Sequence, residues 1–494
     1  MHSALLLGPI FIPLGFAALG ILLARNRSLQ HGAGLLASLL AWVCTLAVLQ
    51  FNIQGETVVY FLGGWAPPYG IVLVADLTAA LFAVMASTVF LAGTLYVLGS
   101  KEESVTYPAF MPLFLAMGAG LSGVFYTGDI FTLFVFIELM VVSSVILVAI
   151  SDNKLGLEAA IKYLFISAMG TLFLLTGIAA LYATYGTLNI ADIGRLLSGG
   201  ARPLLAQTAA LMLTSAFLLK SAVFPFHFWQ PDFHTTAPTP VSAMLSSVIV
   251  KAGIYGLLRV LTLLFTAEAQ LVDDVLIVLG LIGVFFGGLT ALRTYDAKRL
   301  LAYSTLSQVG FILIAIGLNT PLALAAALVY AFNHAFIKSA LLMLAGAVAS
   351  RMSPKTARLL DLAGAGRAMP LAGGLYLLGG LALSGIPPLN GFISKLALAQ
   401  GAIGAEAWLV TGLVIGSGVI TLLYMVRTWQ WIFQQAPAEI LKTKSTGDSL
   451  LAPALLITTC VLLGLFASPL LDLAGRAAAQ LGDPALYISA VLGG

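Results

Sequence analysis

LFVFIELMVVSSVIL, residues 133–147, is an apolar run with one ionisable residue, Glu138, near its middle. The apolar residues are continuous rather than alternating. The run therefore reads as a membrane-spanning helix, not as a strand of a lipid-facing barrel. In the hydrocarbon core every backbone N–H and C=O must be satisfied within the segment, which a helix achieves. A charge at the bilayer centre costs at least about 2.5 kcal/mol even on the most lenient scale. A carboxylate kept there needs a partner or internal water.

The rest of the chain has the same character. Of its 494 residues 60% are hydrophobic and only 9% are charged, where a soluble domain carries about 25% charged residues. A soluble fold so apolar would expose large patches and aggregate. Runs of about 20 apolar residues, each enough for a bilayer core, recur from end to end. They lie near residues 4–24, 32–50, 76–98, 108–126, 130–150, 159–183, 206–228, 241–265, 271–292, 300–317, 322–349, 370–401, 407–433 and 451–471. These fourteen segments predict an all-α integral membrane protein without a water-soluble domain. The amino terminus is apolar from Ala4, lacks a basic leader and reads as the first span. The net charge of +3 carries no basic stripe suited to nucleic acid. Cys44 and Cys460 both fall in apolar runs and make neither a disulfide framework nor a metal site. No haem or nucleotide motif is present, so no cofactor is expected.

Lysine and arginine in the loops orient the chain. With the amino terminus outside, the inner loops and helix ends hold Arg25, Arg27, Lys101, Lys154, Arg293, Lys298, Arg299, Arg351, Lys355, Arg358, Arg367, Arg427, Lys442 and Lys444. The outer side holds Arg195, Arg202 and Arg476. That asymmetry predicts both termini outside. The chain's 23 lysines and arginines leave six: Lys162, Lys220, Lys251, Arg259, Lys338 and Lys395. Arg259 sits near a helix end, where it is expected to snorkel to the interface. The other five lie deeper or beside helix breaks, as does His334, four residues before Lys338 and on the same helical face.

The deep set is lysine, glutamate and histidine, with no arginine. In low dielectric both lysine and carboxylate favour their neutral forms, so both titrate nearer neutrality. Arginine stays protonated and does not serve this way. The choice of residues favours proton exchange over permanent interhelical ties, although some of the set are open to either reading. Lys162 has Glu158 four residues before it, a spacing for a local ion pair. Ser304, Ser307 and Gln308 in YDAKRLLAYSTLSQVGF, residues 295–311, either hold water within the helix or join helices by hydrogen bonds.

Two stretches interrupt the apolar helices. KSAVFPFHFWQPDFHTTAPTP, residues 220–240, contains four prolines together with His227 and His234. SGIPPLNGFISK, residues 384–395, contains Pro387 and Pro388. Proline removes a backbone donor and breaks the helical ladder, which is tolerated at membrane depth where the backbone lines a cavity or packs in protein. A lysine flanks each break: Lys220 before the first, Lys395 after the second. The breaks fall in the seventh and twelfth segments. That odd offset of five predicts two inverted five-helix units, a pattern of transporters. The expected division is 1–107, three leading helices; 108–265, the first unit; 266–433, the second; and 434–494, a loop and a last helix.

Four stretches carry a resemblance. They are FPFHFWQPDFHTTAPTPVSAMLSSVIVKAGIYGLLR (224–259), DAKRLLAYSTLSQVGF (296–311), FNHAFIKSALLMLAGAV (332–348) and SGIPPLNGFISK (384–395). Together they resemble the antiporter-like membrane subunits of respiratory complex I and its relatives, over roughly residues 108–433. GGWAPPYGIVLVADLTAAL (63–81) is more similar to the D subunits of Mrp-type multisubunit Na+/H+ antiporters. The resemblance implies a fourteen-helix fold with two inverted units. It implies that Glu138 pairs with Lys220 on the broken seventh helix and that Lys251 is the central lysine of the eighth. His334 and Lys338 would form a relay on the eleventh, and Lys395 the ionisable residue of the broken twelfth. Asp296 and Lys298 would mark the charged entry to the tenth, with Lys162, His227 and His234 as further supporting groups.

A protein of this kind works beside other membrane subunits of a hetero-oligomeric antiporter, in contact with lipid, and moves protons coupled to a cation, Na+ in the Mrp case. Three other readings remain open on the sequence. One is a proton-pumping subunit of complex I or of a membrane-bound hydrogenase, its redox centres carried by partners. Another is a stand-alone secondary transporter, and the third is a structural scaffold.

Overall fold

The computed structural model describes residues 2–200, 202–353, 355–436 and 443–493; Lys442 of the loop-charge pattern lies outside them. Among the described residues ten helices are long and apolar enough to cross a membrane, and a pair bent by 78°, Leu451–Leu465 with Ser468–Leu481, raises that to eleven. Three shorter apolar helices, Phe110–Tyr126, Leu204–Lys220 and Pro370–Ser384, lie at the fourth, seventh and twelfth segments. The seventh segment breaks after Lys220, and the chain resumes as Gln230–Thr236. The twelfth breaks after Ser384 and resumes as Asn390–Gly404.

The helices begin where short polar side chains accept an otherwise unpaired backbone N–H. Asp129 caps Ile130–Ala149, Asn153 caps Lys154–Tyr185, Asp296 caps Ala297–Gly317 and Thr320 caps Pro321–Ser350. The connections meet at two ends of the bundle. At one end Glu102 meets Lys355, and Asp232 meets both Lys162 and Arg299. At the other, Arg202 meets Glu268, and a backbone bridge joins Asp129 to Asn189.

Three helices are almost wholly buried: Thr239–Leu264, Ala297–Gly317 and Pro321–Ser350. They form the middle of the bundle. Helices around them turn Phe165, Leu172, Ile415 and Val419 outward, as a lipid or partner-facing surface requires. Close packing into the middle depends on small residues. A methyl group on Gly280 or Gly310 would lie 2.7 or 2.5 Å from the other's carbonyl oxygen. Ala269–Arg293 and Ala297–Gly317 therefore touch backbone to backbone.

Two differences from the sequence expectation concern the amino-terminal hairpin and Arg259. The stretch after the second helix is not only loop. Val58–Phe61 and Val72–Ala75 pair as an antiparallel hairpin, too short to register against a pattern of about 20 residues. Arg259 does not snorkel. Its guanidinium is buried, donates to both carboxylate oxygens of Asp76, and lies 5.0 and 5.1 Å from the rings of Tyr255 and Tyr487. A charged partner inside the bundle removes the reason to reach for the interface.

Candidate functional site

The first cluster joins the Glu138 helix, Ile130–Ala149, to the end of Leu204–Lys220. Lys220 Nζ lies 3.1 Å from Glu138 Oε1. It also donates to Ser167 Oγ at 2.6 Å and to Thr171 Oγ1 at 3.1 Å, and Thr171 donates to the same Glu138 oxygen at 2.5 Å. Ser167 and Thr171 stand one turn apart on Lys154–Tyr185. Sequence reasoning missed both, because a hydroxyl within a helix usually satisfies itself on the carbonyl four residues back.

The break after Lys220 abuts the central helix. A methyl on Gly253 would meet the Phe217 carbonyl and the Ser221 backbone N–H, each at 2.8 Å. Two residues before that contact, Lys251 points into the bundle. A π-helical turn, Leu245–Ile249, precedes it, and such widened turns recur at functional sites. Lys251 Nζ donates to the Ser246 carbonyl at 3.1 Å and meets His334 Nδ1 at 2.6 Å. Both side chains are buried. An ammonium donates to this nitrogen only if His334 carries its proton on Nε2. The His334 Nε2 atom has no hydrogen-bond partner among the described residues.

Lys338, one turn further along the same helix, donates to Ser304 Oγ at 2.8 Å and to the Leu301 carbonyl at 3.0 Å. Ser304 in turn bonds Tyr424 at 2.8 Å. Gln308 accepts from Tyr330 at 2.7 Å, and its amide nitrogen is buried without a partner among the described residues. A cavity of about 10 Å³ lies against Gln308, His334 and Ser394, about the room one water needs. Ser307 is a structural tie, donating to the Val284 carbonyl at 3.0 Å.

Lys395 lies beyond this cavity. Its Nζ donates to the Ser384 carbonyl at 2.8 Å and sits 5.5 Å from the Phe311 ring, which stacks on Tyr330. A cavity of about 340 Å³ opens beside it toward the flank of the bundle. Among the described residues no carboxylate pairs with Lys395, Lys251 or Lys338.

The supporting positions divide. Lys162 is half-exposed and pairs with both Glu158 at 2.7 Å and Asp232 at 2.8 Å, away from the buried chain. His227 stacks on Phe224 at 5.6 Å. His234 is fully buried, its Nδ1 2.7 Å from Ser242 Oγ. Asp296 caps its helix through the Arg299 N–H at 2.9 Å, a fold role that the charged-entry reading did not include. Lys298 is buried against the Thr239 hydroxyl at 3.2 Å.

The structure thus holds Glu138 with Lys220, Lys251 with His334, Lys338 with Ser304, and Lys395 against a break, across helices that never leave the apolar bundle. Lysines without counter-ions inside a membrane fold define an ion-handling protein. Residues 127–421 match the family described as NADH:quinone oxidoreductase/Mrp antiporter, transmembrane, and the chain belongs to that family. The D subunit of the Na(+)/H(+) antiporter of Alkalihalophilus pseudofirmus is 32% identical over 489 residues, 98% of either chain. The N subunit of the NADH-quinone oxidoreductase of Desulforudis audaxviator is 34% identical over 85% of this chain and 84% of its own. A chain in the structure of the Mrp complex from Dietzia sp. superposes with a TM-score of 0.91 at 27% identity, covering 100% of this chain and 99% of that one.

Proposed function

We propose that this chain is the proton-translocating subunit of a multisubunit cation/proton antiporter of the Mrp type. The observation that carries the reading is the 2.6 Å contact between Lys251 Nζ and His334 Nδ1. Two groups that each hold or release a proton share one hydrogen bond there, with no carboxylate among the described residues to fix the charge. A proton on Lys251 passes to His334 by a small shift along that bond. From His334 it reaches Lys338, or crosses the small cavity by water toward Lys395. Opening the Glu138–Lys220 pair changes how firmly the central lysines hold their proton. Sodium is the coupled cation in this reading, moved with the help of partner membrane subunits, and the chain's own work is transport rather than covalent chemistry.

The same reading takes the chain through the membrane fourteen times, as two inverted units over 108–265 and 266–433. The leading helices occupy 1–107 and the closing loop and helix 434–494. The meeting of connections at two ends supports the count. So does the mirrored placement of Lys220 and Lys395 about their breaks. The end bearing Lys101, Lys298, Arg299, Arg351 and Lys355 faces the cytoplasm, and both termini face out.

A second reading, a proton-pumping subunit of a redox-driven complex, is favoured by the similarity to the oxidoreductase relative. The Mrp reading is preferred because, among the curated relatives, the antiporter D subunit matches over 98% of both chains and the oxidoreductase N subunit over 85% and 84%. The composition of the purified native complex separates the two. For the proton path, Lys251→Met in the assembled complex should abolish cation-driven proton movement in everted vesicles. Wild-type antiport by that variant would end the proposal.

A further inference from the structure

Glu102 lies outside the stretch that matches the family and outside every apolar segment, in the connection after Leu77–Gly99. Its side chain is only 3% exposed. Glu102 Oε2 accepts the Thr239 N–H at 3.1 Å, and the Thr239 hydroxyl donates to Oε1. On the solvent side, the half-exposed Lys355 reaches Oε1 at 3.0 Å. On the buried side, Lys298 Nζ donates to the Thr239 hydroxyl at 3.2 Å. One hydrogen-bonded line therefore runs from surface to interior: Lys355, Glu102, Thr239, Lys298.

The line borders a cavity of about 310 Å³ at the basic end of the bundle, walled also by Ser104, Asn153 and Thr235. Behind it stands His234, next to the cavity-lining Thr235; its Nε2 is buried without a hydrogen-bond partner among the described residues, and the charges of Lys338 and Lys298 act on it. The other charged or titratable groups around the cluster are Asp448, bonded by Tyr96 at 2.6 Å, and Asp296 near Lys298. Burial pushes the Glu102 carboxyl up. The charges of Lys298 and Lys355 and the Thr239 hydroxyl outweigh burial and hold it below the usual carboxylate range. Glu102 thus stays an anion between two lysines.

We propose that this cluster is a proton-exchange port. Lys298 takes a proton from cavity water and passes it by way of His234 to Lys338, while the Glu102 charge, shared between Lys298 and Lys355, sets how readily Lys298 is loaded. Only a proton moves; Lys298 alternates between amine and ammonium, and no other bond is made or broken. The port rests on the proton-translocating reading above and adds its point of access at the basic end.

The test uses the full complex in everted vesicles, which turn the basic end to the assay medium. Glu102→Gln keeps an oxygen for Thr239 but removes the charge that favours a loaded Lys298. The dependence of antiport on medium pH should shift toward acid by about one to three units, with Glu102→Asp restoring it. Lys355→Gln removes a competing cation and should shift the profile the other way. A merely structural role for Glu102 predicts a lower rate at every pH and no opposed shifts. Unshifted profiles in both variants overturn the port; if Glu102→Gln fails to assemble, Lys355→Gln alone decides. Glu138→Ala run beside them separates the two levels. If it is inactive while the profiles stay unshifted, only the port falls. If it is active, the underlying reading falls.

Discussion

Glu138→Gln keeps the shape of the side chain and removes its charge. In the native structure the Lys220 ammonium sits 3.1 Å from the carboxylate. Two unit charges at that distance interact by about 5 kcal/mol at an effective dielectric near 20. The Thr171 hydroxyl donates to the same carboxylate oxygen and takes up part of its charge; about half of the figure, roughly 2.5 kcal/mol, is a working value. One pH unit corresponds to about 1.4 kcal/mol, so the charged form of Lys220 should need a medium about two units more acidic. Ser167 and Thr171 still offer their oxygens at 2.6 and 3.1 Å, so the neutral amine remains satisfied and the complex should assemble. At the wild-type optimum the antiport rate should fall about 100-fold and recover in part on acidification. The assay is cation-induced release of a pH gradient in everted vesicles of an antiporter-deficient host, read across pH, with subunit content measured in the same membranes. An assembled Glu138→Gln complex with wild-type rate and optimum would refute the role given to the pair.

Three further outcomes test the architecture. Arg259→Leu strands the buried Asp76 carboxylate and should cost about 3–5 kcal/mol of stability, seen as earlier thermal loss of the complex in detergent; adding Asp76→Asn should recover much of it, and a neutral single variant would contradict the buried pair. Because Glu102 is held below the usual carboxylate range, its contribution to stability is full above the unfolded value and is lost as pH falls through its folded value. Melting temperatures taken from pH 7 downward should fall more steeply in wild type than in Glu102→Gln; parallel curves would show that the carboxylate is not so held. Gly391→Ala drives a methyl into the Ala382 carbonyl at the second break and should cost about 1–3 kcal/mol. Unchanged melting and antiport would mean that the break is looser than its close contact implies.

The helical membrane fold was legible because lipid imposes a length: about 20 apolar residues per crossing leave a pattern that local loops do not blur. The breaks at 220–240 and 384–395 were legible for the same reason, as interruptions of that pattern. Tertiary pairing was not. Asp76 stands 183 positions from Arg259, and in the sequence it looks only like a cap at a helix start, which it also is. Glu102 sits in a short polar connection, where a carboxylate is ordinary; its burial comes from the loop that brings Lys355 over it. Among the site residues, charge at membrane depth betrayed Glu138, Lys220, Lys251, Lys338 and Lys395. The hydroxyls that hold Glu138 and Lys220, Ser167 and Thr171, carry no such signal.

The two flanking lysines look mirrored in sequence, and the fold holds them in different ways. Lys220 is the last residue of Leu204–Lys220. Lys395 follows its break but reaches back to the carbonyl of Ser384, the last residue of Pro370–Ser384. While the Lys220 ammonium turns to Glu138 and to Ser167 on a neighbouring helix, the Lys395 ammonium lies at the C-terminal end of a half-helix, where backbone carbonyls concentrate partial negative charge. That arrangement favours a cation by about 0.3–2 kcal/mol without a permanent counter-ion. Lys220 has a carboxylate in addition, while Lys395 has none among the described residues and borders an open cavity. Lys395 thus holds its proton with less help than Lys220. What the two breaks share is a lysine beside an interrupted helix; what distinguishes them is the carboxylate of Glu138, which pairs with Lys220, whereas among the described residues none pairs with Lys395.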